Sequence, residues 1–231
     1  MEKYALNGCN GKGKTCGKGN PAGLLVVFSA PSGAGKTTVL RAVLKAHPEM
    51  KYSVSVTTRK SRAGEKDGVD YHFVSEEKFD ALVARNAFLE WAVVHCSRYG
   101  TLKSTAEEGL KRGDRIIFDT DTVGAFNIKK RFPDAVLIFI APPSPEVLRE
   151  RLRSRDTESP ERMAIRFEAA PGEMSRMGDY DYIVVNDSLH DAVSRVDSIL
   201  KAESLRSMRI APVLTEWRRY LNGKGTDHSE L

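Results

Sequence analysis

The sequence predicts an α/β domain, a mostly parallel sheet flanked by helices, on three observations. Apolar runs of strand length recur, segments of helical periodicity lie between them, and a glycine-rich loop joins the first run to the first helix. The first run, Leu24-Leu25-Val26-Val27-Phe28, is apolar throughout, as expected of a strand covered on both faces. Arg115 to Phe118 and Ala135 to Ile140 repeat it, and Tyr182 to Val185 is a shorter fourth. Helical patterns are expected over Lys36 to Ala46, Ser104 to Arg112 closed by Gly113, Pro145 to Ser154, and Leu189 to Leu200.

Two polar, arginine-bearing stretches, 53–102 and 142–172, interrupt this alternation. They read as insertions over the carboxyl edge of the sheet, where ligands of open α/β sheets sit. Residues 1–22 read as a flexible basic arm, because Gly8 to Gly23 offers almost no apolar surface to offset the entropy of ordering it. The domain proper is then 23–207. Residues 208–231 form a C-terminal extension in which Trp217 and Tyr220 suit a short helix but suggest no chemistry.

The chain has 231 residues, 41% hydrophobic and 29% charged, with no apolar run near the length of about 18 residues that a membrane span needs. No apolar stretch before Leu24 serves as a secretory signal, and three cysteines make no disulfide framework, so a reducing cytoplasm is the expected compartment. Of the net charge of +5, the first twenty residues carry +3, residues 209–231 carry +1 and the body only +1. A nucleic-acid face on the body is therefore not expected, although a basic tail can bind polyanions in a salt-dependent way. Cys9 and Cys16 lack zinc-knuckle partners, and His72, His95 and Cys96 lack metal-ligand spacing.

Directly after the first run comes Ser29-Ala30-Pro31-Ser32-Gly33-Ala34-Gly35-Lys36-Thr37-Thr38, and an apolar-periodic helix follows. This is Walker A geometry. Gly33 and Gly35 let the backbone amides of Ser32 through Thr38 turn inward around phosphate oxygens, Lys36 adds a point charge, and the Thr37 hydroxyl suits Mg²⁺. The helix adds its N-terminal partial positive charge. Ala30 stands where the eight-residue pattern has its first glycine. In the arm, Gly11-Lys12-Gly13-Lys14-Thr15 has similar letters but no preceding strand, and is read as a chance match.

The insertion reads Ser53-Val54-Ser55-Val56-Thr57-Thr58-Arg59-Lys60-Ser61-Arg62-Ala63-Gly64-Glu65, then Gly68-Val69-Asp70-Tyr71-His72-Phe73, Phe88-Leu89-Glu90-Trp91-Ala92 and Tyr99-Gly100-Thr101. With the loop before it, in this order and spacing, the chain resembles guanylate kinases over about residues 23–205. The resemblance implies transfer of the ATP γ-phosphate to GMP with Mg²⁺, giving ADP and GDP, on a P-loop kinase core with inserted GMP-binding and lid subdomains. It puts the clamp on the GMP phosphate at Arg59, Arg62, Tyr71 and Tyr99. Two guanidinium forks and two phenols suit a phosphate dianion. The guanine readers it implies are Ser55, Glu90, Thr101 and Asp121. A carboxylate such as Glu90 accepts from both N1–H and the 2-amino group of guanine, a pairing adenine cannot offer.

The resemblance further places Arg151, Arg155 and Arg166 in a lid closing over the triphosphate, and Asn186-Asp187 on the adenine side. Asp119 and Asp121 end the strand from Arg115. With Asp121 matched to guanine, Asp119 is left as the carboxylate near Mg²⁺. Val123 stands where the family usually has glutamine. Ala170-Pro171-Gly172 predicts a kink or a fresh helix start in a helix that the family keeps continuous. Two other classes are weighed. A catalytically idle binding module of this fold would usually lack the intact loop, and a sugar-phosphate kinase would not need Ser55, Glu90 and Asp121 together. The sequence leaves the oligomeric state open.

Overall fold

The computed structural model describes residues 23–62, 64–94, 96–153 and 160–223; the expected basic arm at 1–22 and the last eight residues of the extension lie outside them. The strands are β1 (Leu24–Ser29), β2 (Met50–Tyr52), β3 (Val56–Thr57), β4 (His72–Phe73), β5 (Phe88–Val94), β6 (Ser97–Leu102), β7 (Arg115–Asp119), β8 (Val136–Ala141) and β9 (Tyr182–Val185). The helices are α1 (Lys36–Ala46), α2 (Glu76–Ala84), α3 (Lys103–Arg112), α4 (Thr122–Arg131), α5 (Pro145–Arg153), α6 (Pro160–Ser175), α7 (Leu189–Ser204) and α8 (Ala211–Gly223).

Five strands form the main sheet in the order β2-β7-β1-β8-β9, all parallel. Every residue of β1 is buried, and the period of two divides it between two cores. Leu24, Val26 and Phe28 join Val39, Leu40 and Val43 of α1 and Ala192, Val196 and Leu200 of α7. Leu25 and Val27 join Ala106 of α3 and Ala125 and Ile128 of α4 on the other face. This is why the run carries no polar residue.

The insertion folds as a second sheet in the order β4-β3-β6-β5. Its small core is Val56, Phe79 and Phe88, with Phe79 of α2 stacked on Phe88 at 4.6 Å between ring centroids. Between Phe88 and Glu90 the register of β5 against β6 shifts. Without that irregularity a period of two would turn both side chains to one face. With it, Phe88 enters the α2 core while Glu90 faces the cavity described below.

Two expectations need correction. Pro171 lies inside α6, which continues as one element, so no fresh helix start occurs there. A proline removes only its own amide, at a cost of about 3 kcal/mol. Here Ala170 and Phe167 pack with Leu148 and Leu152 of α5, and Met174 packs on the main-sheet core, so burial before and after the proline carries the helix through. Arg209, counted with the charged tail, is instead 4% exposed. It donates to the carbonyls of Gly23 and Asp134 and pairs with buried Glu203, whose other oxygen accepts from the Tyr182 hydroxyl.

Candidate active site

The carboxyl ends of β1, β7 and β9 deliver the site. β1 ends at Ser29, and the loop that follows turns at Gly33 and Gly35, with φ of +91° and +89°. The Ala34 amide closes the turn on the Pro31 carbonyl at 3.1 Å. Gly35 is the N-cap of α1, so the loop amides converge on a helix N-terminus as an anion site requires. Thr37 and Thr38 are exposed. Ala30, the departure from the eight-residue pattern, is buried and leaves the turn intact.

The loop is held from behind by Asn186, just past β9, which is 7% exposed and donates to the Ala34 carbonyl at 2.7 Å. A Cβ on Gly35 would stand 2.4 Å from the Asn186 Nδ2. Arg151 of α5 reaches the same place, donating to the Asn186 carbonyl at 3.0 Å and to the Ala34 carbonyl at 3.4 Å. Gly35→Ala is therefore expected to cost about 1–2 kcal/mol in backbone strain alone, a loss of about 2–8 °C in Tm. A raised KM for ATP should accompany it, and a calorimetric scan beside an ATP titration checks both.

Lys36 lies 20% exposed between the loop and β7. Its Nζ pairs with Asp119 Oδ1 at 2.6 Å and donates to the Thr120 carbonyl at 2.8 Å. Asp119, expected near a metal, is thus the partner of the loop lysine. Asp121 is the N-cap of α4 and accepts from the Gly124 amide at 2.7 Å, which leaves its other oxygen to the cavity. Among the described residues no group of three or more His, Cys, Asp or Glu could hold a metal.

One cavity gathers Lys36, Asp119 and Asp121 from the core with Ser55, Tyr71, Glu90, Tyr99 and Thr101 from the insertion. Pairing explains the gathering, since β6 places Tyr99 beside Thr57 and Ala92, and Thr101 beside Glu90. Thr101 donates its hydroxyl to Glu90 Oε1 at 2.7 Å. Burial pushes the Glu90 carboxyl above its ordinary range; the Thr101 bond opposes that and the Asp121 charge adds to it. Gly124 is a packing requirement, because a Cβ there would meet Thr120 Oγ1 at 2.1 Å and Glu90 Oε2 at 2.9 Å. The Tyr71 phenol is pushed up to about 12 by burial and by the Asp119 charge, so it stays a donor.

Arg59 stands beside this cavity, with its guanidinium 5.3 Å from the Tyr71 ring centroid and within electrostatic reach of the Tyr99 phenol. Glu65 holds it at 2.8 and 3.0 Å through two parallel bonds. The Arg62 amide caps the same carboxylate at 2.7 Å, while the Arg62 side chain is exposed and outside the cavity lining. Sequence reasoning assigned no role to Glu65; its spacing of six from Arg59 and three from Arg62 was the available signal. Val123 is 60% exposed in the first turn of α4. Asp187 follows Asn186 in the turn before α7. Arg166 lies on α6, and Arg155 lies outside the described residues.

A family model described as guanylate kinase matches residues 23–203. The chain is 45% identical over 196 residues to a guanylate kinase of Symbiobacterium thermophilum, covering 85% of this chain and 93% of the relative. To a guanylate kinase of Syntrophotalea carbinolica it is 48% identical over 188 residues, 81% of this chain and 90% of the relative. Among solved structures, the guanylate kinase of Anaplasma phagocytophilum matches with a TM-score of 0.69 at 33% identity, over 82% of this chain and 90% of that one.

Proposed function

Because this chain belongs to the guanylate kinase family, whose reaction is the ATP-dependent phosphorylation of GMP to GDP, we propose that Ser32, Gly33, Ala34, Gly35, Lys36, Thr37 and Thr38 hold the ATP phosphates while the cavity under the insertion receives GMP. The chain is an enzyme, a nucleoside monophosphate kinase. The observation that carries the site assignment is the single cavity in which the loop lysine meets Glu90, Thr101 and Ser55. An in-line transfer needs donor and acceptor in one crevice, and little else by way of covalent chemistry.

In this reading guanine lies against Glu90, with Thr101 fixing the carboxylate and Ser55 and Asp121 completing the edge. Ionised Glu90 accepts two donors from guanine; an adenine edge would leave a buried carboxylate unpaired, which disfavours it strongly. The GMP phosphate lies toward Tyr71, Tyr99 and Arg59, with Arg62 closing from outside. Glu65 and the Lys60 carbonyl keep the Arg59 fork oriented, and the donors that these two do not use are left for phosphate. Arg59→Ala is expected to raise the KM for GMP about 10- to 100-fold, the worth of one charge-assisted hydrogen bond. The KM for ATP should change no more than about twofold by the same reasoning. Initial rates with each substrate varied in turn test it.

Mg²⁺ fits this site as an ion carried by ATP, since such ions keep most of their waters and take few protein ligands. Thr37 would be its protein ligand, and Asp119, already paired with Lys36, would act through water. Bound there, it neutralises charge on the phosphates. Asn186 and Asp187 are proposed on the adenine side. The segment 142–172 is proposed as the lid, 53–102 as the GMP-binding unit, 1–22 as an arm and 208–231 as an extension outside the 23–207 domain. Arg151, Arg155 and Arg166 are the lid's candidates for charge on the moving phosphoryl group. Arg151 already sits behind the loop, which supports its place in that set. No helix among the described residues is long and apolar enough to cross a membrane. The reaction draws on intracellular nucleotides, which supports a cytoplasmic location.

A further inference from the structure

Glu173 is a carboxylate that the reaction as described does not use. It lies near the C-terminal end of α6, and its neighbours fix its direction. Ala170, one turn back, packs on Leu148 and Leu152, the same two side chains that a Cβ on Gly33 would strike at 3.1 and 2.9 Å. Met174 packs on the core of the main sheet. This face of α6 therefore lies against the base of the phosphate loop. The Glu173 carboxylate lies within electrostatic reach of the Ser32 backbone amide, Lys36 and Asp121. Its Oε2 is buried with no hydrogen-bond partner among the described residues.

A half-buried carboxylate with one oxygen unpaired is costly where apolar packing would have served. Its position gives that cost a consequence. The loop collects amides and a lysine to attract phosphate, and a fixed negative charge at its Ser32 end acts against every phosphate that enters. We propose that Glu173 is a positioning residue of the phosphate loop, a resident anion at the loop's Ser32 end that works against the binding of nucleotide phosphates beside Lys36. The proposal rests on the assignment of residues 32–38 as the ATP phosphate site.

The effect must scale with phosphate charge, whereas a merely structural role would move all ligands alike. The test titrates adenosine, ADP and ATP calorimetrically into the full chain and into Glu173→Gln, without GMP and with a chelator present. Gln keeps the shape of the side chain and removes the charge. The expected result is unchanged affinity for adenosine and roughly tenfold tighter ADP, with a larger gain for ATP, as for removal of one like charge several ångströms away. Glu173→Leu removes the same charge without leaving a polar orphan, and should show the same ordering even if Gln fails to fold. Equal changes for all three ligands, no change, or weaker ADP in the variants would overturn the proposal. Wild-type protein that bound adenosine and ADP equally well would overturn the loop assignment itself.

Discussion

Replacing Lys36 by alanine is expected to abolish measurable phosphoryl transfer. The side chain is the cation of the shared cavity, held by Asp119 Oδ1 at 2.6 Å and the Thr120 carbonyl at 2.8 Å. Those two bonds aim the ammonium at the space between loop and acceptor. With no covalent work for the protein to do, a positioned charge on the moving phosphoryl group is the main contribution, and one such donor is worth about 10²–10³ in kcat. The alanine variant loses more than that. It strips Asp119 of its partner and leaves a carboxylate, 15% exposed, facing the incoming phosphates. An expected loss of at least about 10³-fold follows, with KM for ATP raised as well. Lys36→Ala combined with Asp119→Ala should recover part of the lost ATP affinity and none of kcat. A coupled assay for ADP, run on the wild type and both variants, separates the two effects.

The second large effect falls on acceptor choice. Glu90→Gln is expected to lower the preference for GMP over AMP, in kcat/KM, by about 10²-fold or more, since the discrimination rests on a buried carboxylate accepting from guanine. The same substitution should raise Tm at neutral pH. Burial holds the Glu90 carboxyl above its usual 4.5 in the folded protein. The native state therefore binds that proton more tightly than the unfolded chain does. Ionised Glu90 then costs stability at neutral pH, and the cost is relieved as pH falls through the raised folded value. Gln removes the cost at every pH. Guanine recognition runs the other way, because it needs the ionised form. The GMP-to-AMP preference should begin to fall at a pH above the ordinary carboxylate range, and Glu90→Gln should lack that pH dependence. Comparing two acceptors cancels the titration of the phosphate they share.

The parallel core was legible because its strands are buried on both faces. Leu24 to Phe28 could be nothing but apolar once α1 and α7 covered one face and α3 and α4 the other. The phosphate loop was legible because it needs glycines at positive φ directly after such a strand. The second sheet was not. β3 and β4 have two residues each, too few for any period; β3 exists through pairing with β6, some forty residues on, and β4 through pairing with β3. β2 has three. α4 escaped notice because Asp121 was weighed for its chemistry, although it is also the side chain that caps the helix.

Within the site, residue types were readable and partners were not. Asp119 and Lys36 lie 83 positions apart, and only the parallel pairing of β1 with β7 brings strand end and loop together. Glu65 had no assigned role, because its partner Arg59 is fixed by the fold of the loop and not by residue type. At Ala170-Pro171-Gly172 local propensity favours a kink or a fresh start; the fresh start does not occur, because the packing of Ala170 and Met174 on either side favours continuity. Glu173 lies in that same segment.

The central claim is that one crevice holds both nucleotides, with the loop at one end and Glu90 at the other. A single molecule carrying adenosine and guanosine at the two ends of a five-phosphate chain tests it most directly. If both nucleosides lie in the crevice, the compound inhibits competitively against ATP and against GMP, and Glu90→Gln weakens it while leaving ADP binding unchanged. Competition against one substrate only, or equal inhibition by the diadenosine compound, would contradict the account.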